Sequence, residues 1–515
     1  VNPVMAAMGM KQQLTEQKAA QGIPQEQIDA DLKAISPLSE DKRTGTIDIT
    51  FDAKKAADVT SEQRNAITTI ISNDNGNLTT AYSGNAFQDS ESLGMQSELI
   101  GITVAAVVLI ITFGSLVAAG LPLLTAVVGV AFGLMGVTAA TGFTDSINSM
   151  TPTLASMIGL AVGIDYALFI ISRAREYLAD GVAPAEAAGR AVATAGSAVV
   201  FAGTTVIVAL CGLSVAGIRF LTTMGLASAA VVAVAVLVAL TVVPALIGLL
   251  GQRLLPRRRK AADVGADADR RSASRWVRTV TRRPWVPIGA VIVLLGLCAV
   301  PAGGLRLALT DNGFAEKGTQ QRETYDAVAA AYGEGYNSPV IVIADISDAS
   351  TSVGAVQGLA QDLSALDGVE SIALATPNQD GTLAFVQVRP EKSQSDSSTM
   401  RLVREIRSHA DDYESRYGLT DVMVTGQTAV AIDVAEALND ALIPFGIVVV
   451  GLSLILLMVV FRSIAVPLTA TLGYLLSLGA GMGAVGAVFG WGWASDLLGV
   501  SKVGAVTSFL PVIVM

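Results

Sequence analysis

The sequence predicts a polytopic α-helical membrane protein, internally duplicated, with α+β ferredoxin-like domains outside the membrane. Composition is the first observation behind that prediction. Of 515 residues, 52% are hydrophobic and 15% charged, and the mean hydropathy is +0.56, too apolar for an ordinary soluble enzyme. The second is a series of apolar runs long enough to cross about 30 Å of hydrocarbon. They begin near Leu99, Leu121, Leu154, Ala193, Leu221, Val286, Ala441 and Leu468, and a further run starts near Val503 and is cut off. The third is the alternation of strand and helix patterns in the polar stretches between them.

These signals divide the chain into six segments. Residues 1–97 form a first extracytoplasmic region and 98–253 a group of membrane helices. Residues 254–284 are a basic linker, 285–303 one more membrane helix, 304–438 a second extracytoplasmic domain, and 439–515 the closing membrane helices. In the first region, Val4 to Leu32 is rich in Ala, Gln and Met and reads as an inserted helical pair with Met5, Met8 and Met10 near one face. We read those methionines as packing residues. Gly45–Phe51 and Leu78–Gly84 are strand-like, and Glu62–Ile71 lies in a helical stretch.

Orientation follows from the lysines and arginines of the short loops, which mark the cytoplasmic side. Arg173, Arg175 and Arg190 follow the third run, Arg253, Arg257, Arg258, Arg259 and Lys260 the fifth, and Arg462 the seventh. Both polar domains then fall on the opposite side by alternation. Pro244 is expected to kink the fifth span, and Trp491 and Trp493 are expected at an interface.

The second polar domain has a legible order. Pro339–Asp345 is strand-like, Ser352–Leu366 helix-like, Val369–Ala375 and Thr382–Val388 strand-like, Thr399–Tyr413 helix-like, and Asp421–Thr425 a last strand. This is the β-α-β-β-α-β order of a split βαβ unit. The first region repeats its second half. After each domain comes a span ending in a similar corner, Phe113-Gly-Ser115 and Phe461-Arg-Ser463, and then Leu121-Pro-Leu-Leu124 or Val466-Pro-Leu-Thr469. A duplicated unit of soluble domain plus membrane helices is a common transporter plan. The repeat implies a piece of a longer protein. The first copy lacks its leading helix and half-domain, and the second stops before its equivalent of the Leu154 run.

The net charge of −10 is spread over the polar segments and points to no nucleic-acid partner. Cys211 and Cys298 lie in apolar runs, and no metal-ligand spacing occurs. His409 falls in a charged stretch that reads as a solvated helix face. The chain shows no phosphate-cradling Walker loop and no nucleophile elbow, so neither enzyme chemistry nor ATP-driven transport has support. No cofactor is expected.

One residue breaks the apolar pattern. Asp165 lies inside the run Leu154–Ile171, where a carboxylate at a membrane-helix centre costs roughly 2.5 to 3.5 kcal/mol and tends to mark an ion or proton pathway. Gly159 and Gly163 give small-xxx-small spacing beside it, which lets a neighbouring helix approach closely. Tyr166 follows directly, about 100° round the helix, so it does not face Asp165. It can reach an acid on another helix while Asp165 receives a hydroxyl in return. Loading a proton there removes a buried charge and changes which helix packing is preferred.

The run Gly159-Leu-Ala-Val-Gly-Ile-Asp-Tyr-Ala-Leu-Phe-Ile-Ile-Ser-Arg-Ala-Arg-Glu176 resembles the signature of the MMPL family, a branch of the resistance-nodulation-division (RND) superfamily. Ala187–Phe201 and Leu240-Thr-Val-Val-Pro-Ala-Leu246 resemble it as well. The resemblance implies an RND-type fold of twelve membrane helices with two porter-like domains, in which the first span here is the second helix and the last the tenth. It implies proton-driven export or flipping of lipids, lipid-linked molecules or hydrophobic drugs across a bacterial plasma membrane, with protons as the coupling ion. Asp165 and Tyr166 match the family's proton-relay pair on the fourth helix; the matching pair on the tenth falls past Met515. The implied partners are a lipid or hydrophobic small-molecule substrate and the surrounding membrane lipids, with a homo-oligomer left open. Two other readings stand beside export: a sterol-sensing, receptor-like relative that binds lipid without pumping, and an accessory of protein export.

Overall fold

A computed structural model describes residues 36–53, 58–73, 78–87, 92–140, 142, 150–255, 280–349, 352–378 and 380–514. The inserted segment Val4–Leu32, with Met5, Met8 and Met10, lies outside the described residues, as does most of the basic linker. The chain divides into two compact units: Val1–Gln88, Ala299–Asn439 and Gly481–Val514 in one, and Asp89–Cys298 with Asp440–Ala480 in the other.

The second unit is the membrane part. Its helices are α2 (Ser92–Phe113), α3 (Leu116–Ala140), α4 (Met150–Ala179), α5 (Pro184–Gly212), α6 (Arg219–Leu250), α7 (Trp285–Ala299), the later part of α12 (Gln427–Phe461) and most of α13 (Ala465–Val485). Among the described residues, seven helices are long and apolar enough to cross a membrane, and α2 carries a shorter apolar stretch, Gly101–Phe113. Each matches an apolar run of the sequence, because about 20 apolar residues satisfy their backbone only as a helix in lipid. Pro244 lies inside α6, which continues to Leu250. The bundle core gathers Ala118, Ala119 and Leu121 of α3, Ala167, Ile170 and Ile171 of α4, and Ala239, Val243 and Ile247 of α6.

The first unit is built around a four-stranded sheet. Strands β2 (Val340–Asp345), β3 (Val369–Pro377), β4 (Leu383–Pro390) and β5 (Thr420–Thr425) lie in the order β3-β4-β2-β5, every neighbouring pair antiparallel. Helix α9 (Ser352–Ser364) connects β2 to β3. Helices α10 (Ser397–Ser408) and α11 (Ala410–Tyr417) connect β4 to β5. This is the split βαβ order expected from the strand periodicity. Alternate residues of β2, namely Val340, Val342 and Ala344, are buried and pack with Leu359 and Leu363 of α9 and Leu402 and Ile406 of α10. The expected single helix Thr399–Tyr413 is interrupted at His409, whose backbone leaves the helical region (φ −100°, ψ 8°). Arg404 and Arg407 of α10 pair with Glu436 (2.6 Å) and Asp433 (2.5 Å) in the first turns of α12.

Two expectations are corrected. In the first polar region, helix α1 (Ser61–Asn73) forms behind a reciprocal Thr60–Gln63 capping box, but Gly45–Phe51 and Leu78–Gly84 are not strands. Apart from the isolated bridge Leu38–Gly45, they run without a paired neighbour among the described residues, and a strand is stabilised by its cross-strand pairs. Ile47, Ile49 and Leu78 are accordingly exposed. The region is held instead by Tyr332 of α8 (Gln320–Tyr332), whose hydroxyl donates to the Pro37 and Thr44 carbonyls at 2.9 and 3.1 Å.

The second correction concerns the last apolar run, which does not start as a helix at Val503. Gly504 (φ +145°) breaks it, and β6 (Ala505–Thr507) pairs in parallel with β1 (Arg306–Ala308). Helix α14 begins only at Leu510. Pro511 fits that first turn, where a missing N–H costs nothing. The closing segment 439–515 is therefore not membrane helix throughout, and Gly481–Val514 belongs to the polar unit.

Candidate functional site

Asp165 is the midpoint of the 29-residue span Thr151–Ala179. Helix α4 has two faces. Gly159, Gly163, Ala167, Ile170, Ala174 and Leu178 are buried, whereas Thr153, Met157, Ala161, Asp165 and Phe169, each four residues from the next, form an exposed ridge. Residues spaced by four stack on one side of a helix, so the acid stands in the middle of a continuous open stripe.

Gly159 and Gly163, six and two residues before the acid, fix the opposite face. A Cβ on Gly159 would lie 2.5 Å from Val231 Cγ1 of α6 and 3.2 Å from Val130 Cγ2 of α3. One on Gly163 would lie 3.1 Å from Ala126 Cα of α3. Gly133 of α3 meets Val231 in the same way. Helices α3, α4 and α6 are therefore in backbone-close contact around the level of Asp165, and this leaves α4 little freedom to rotate alone.

Tyr166 faces another direction. It is half-buried against the bundle core, and its Cε2 lies 3.5 Å from where a Gly203 Cβ on α5 would stand. Asp165 and Tyr166 are thus neighbours in the chain that address different surroundings.

Two features were not legible as functional in the sequence. Arg175, a topology signal in the sequence, donates from Nη2 to the Phe113 carbonyl at 2.8 Å and covers the Phe113 ring at 4.7 Å. It thereby ties the C-terminal part of α4 to the last carbonyl of α2, a favourable place for a cation. The repeated Phe-x-Ser corner was the available hint. Within α5, Val192–Gly196 forms a π-helical turn, a distortion frequent at functional sites, for which composition gave no signal.

The family model described as "MMPL family" matches residues 5–288 and 317–502. The chain belongs to the MMPL family. Among relatives, membrane protein YdfJ of Bacillus subtilis is 40% identical over 441 residues, covering 85% of this chain and 60% of its own length. A mycolic acid-containing lipids exporter, MmpL11 of Mycolicibacterium smegmatis, is 28% identical over 81% of this chain and 44% of its own length. The trehalose monomycolate exporter MmpL3 of Mycobacterium tuberculosis is 26% identical over 76% of this chain and 45% of its own. The chain spans 60% or less of the length of these relatives. Family membership and the apolar helices together make it a multi-pass membrane protein.

Proposed function

We propose that this MMPL protein is part of a secondary active transporter that uses the proton-motive force to export or flip lipids, lipid-linked molecules or hydrophobic drugs across a bacterial plasma membrane. Asp165 is the group that loads and releases the proton, and Tyr166 is its hydroxyl-bearing neighbour in the relay. The observation that carries the reading is the position of Asp165: mid-span, on an exposed ridge, while the opposite face of the same helix is locked by Gly159 and Gly163. A carboxylate at that depth is too costly to face lipid, so the ridge faces another helix or a water-filled path. Neutralising the acid changes the preference between those surroundings. Each proton moved is driven by about 2.3 kcal/mol per 100 mV of membrane potential. The names of the mycobacterial relatives, exporters of mycolic acid-containing lipids and of trehalose monomycolate, support a lipid cargo.

The test is Asp165→Asn in the full-length protein, with cargo efflux and membrane abundance measured together. The proposal expects efflux lost and abundance unchanged. Undiminished efflux retires the relay.

A further inference from the structure

Helices α5 and α12 meet where a Gly212 Cβ would stand 3.5 Å from Val449 Cγ2 and 3.7 Å from Phe445 Cε2. Towards Phe201 on one helix and Val459 on the other they line a half-open wedge of about 300 Å³, at the small end of ligand-pocket sizes. Its walls are aliphatic and aromatic, with Ala209 and Leu456 on opposite sides. The hydroxyls among the lining residues are those of Thr205 and Ser453, and Thr205 already donates to the Phe201 carbonyl at 3.0 Å.

Water needs two to four polar partners to settle in such a space, and this lining offers too few. An empty void forfeits the dispersion contacts of every wall atom. At bilayer depth the substance at hand is hydrocarbon. Phe201 to Ala209 extends about 12 Å along α5 at 1.5 Å per residue, which gives the cavity a mean section of about 25 Å². A cleft that long and narrow suits one extended chain better than a fused ring system.

We infer that the α5–α12 wedge is a binding site for a single acyl chain of a bilayer lipid, which enters sideways from the membrane. The inference rests on the lipid-transport reading for its role as a cargo site, not for the binding itself. Gly203 sits between Phe201 and Thr205 on α5, and Tyr166 Cε2 lies 3.5 Å from where its Cβ would stand. A chain in the wedge and the relay on α4 therefore bear on the same helix from its two sides.

The test reconstitutes the full-length protein into phosphatidylethanolamine–phosphatidylglycerol vesicles doped with a phospholipid carrying a diazirine in one acyl chain, irradiates, and maps adducts by mass spectrometry. Adducts enriched several-fold on Phe201–Ala209 and Val449–Val459 over the exposed helices α7 and α13 are expected. Ala209→Trp or Ser453→Trp should fill the wedge and remove that enrichment. Even labelling of all exposed spans in the unaltered protein overturns the site whether or not the variants fold, as does enrichment that survives both tryptophans. Enrichment in vesicles that show no proton-driven lipid movement leaves the binding site standing and sinks the transport reading, so the two failures are distinguishable.

Discussion

The two repeats read from the sequence differ in which part is packed. The first repeat contributes a packed bundle. The four spans from Leu116 to Leu254 bury 33% to 44% of their most apolar stretches. The second contributes a complete four-stranded domain but three loosely covered spans, α7, α12 and α13, which bury 6%, 11% and 17%. In the polar regions the contrast reverses: β2 to β5 pair, and β2 and β4 bury alternate residues, while Gly45–Phe51 and Leu78–Gly84 carry the same strand pattern unpaired. A pattern in the sequence fixes what a segment can become. Whether it does so depends on the neighbour that completes it.

The largest effects expected from this contrast fall in the polar domains. Leu402→Ala, at a site 1% exposed in the paired domain, should cost about 2 to 5 kcal/mol. Ile49→Ala, 51% exposed in the first region, should stay within about 0.5 kcal/mol. Thermal unfolding of the purified protein compares them, and equal losses would mean the first region is as fully packed as the second.

Next come the glycines of the two bundles. Gly159→Leu drives a side chain into Val231 and should destabilise the bundle by about 1 to 3 kcal/mol or more, seen as lower membrane abundance and a lower Tm in detergent. Gly473→Leu, where nothing lies within 4 Å, should be near neutral. A neutral Gly159→Leu would show that α3, α4 and α6 are not closely packed.

A smaller effect belongs to the cap of α10. Burial works against ionisation of Asp396, but the Ser398 N–H and hydroxyl, which donate at 2.9 and 2.8 Å, outweigh it and hold the carboxyl below the usual aspartate range. Because the folded pKa is depressed, the stabilisation is present above the unfolded pKa and fades as pH falls through the folded one. Asp396→Ala should cost about 1 kcal/mol at neutral pH and progressively less in acid. A cost independent of pH would assign it to packing.

The smallest effect contrasts the two corners. Gly114 and Arg462 occupy matching positions and both adopt left-handed backbone, at φ +61° and +46°. Arg462→Gly should gain up to about 1 kcal/mol and Gly114→Ala lose a similar amount. Opposite signs in Tm sharpen the repeat; the same sign breaks it.

The spans were legible because a bilayer leaves an apolar run of some 20 residues few alternatives. The sheet order of the second domain was legible because the central strands β2 and β4 alternate buried and less buried residues. The break at His409 was not, since the amphipathic pattern runs through it. Nor was the start of α14, because Ala505, Val506 and Thr507 suit a strand and an apolar helix alike. At the site, Asp165 announced itself by cost, and Gly159 and Gly163 by spacing. The exposed ridge, the Arg175 tie and the α5–α12 wedge depend on contacts between distant segments, which no local pattern encodes.

The central claim, that Asp165 carries the coupled proton, is tested most directly by watching protons. Full-length protein in vesicles that enclose a pH-sensitive dye should dissipate an imposed pH gradient when cargo lipid is supplied, and Asp165→Asn at equal density should leave the gradient standing. Equal cargo-dependent proton flux through both would contradict the account.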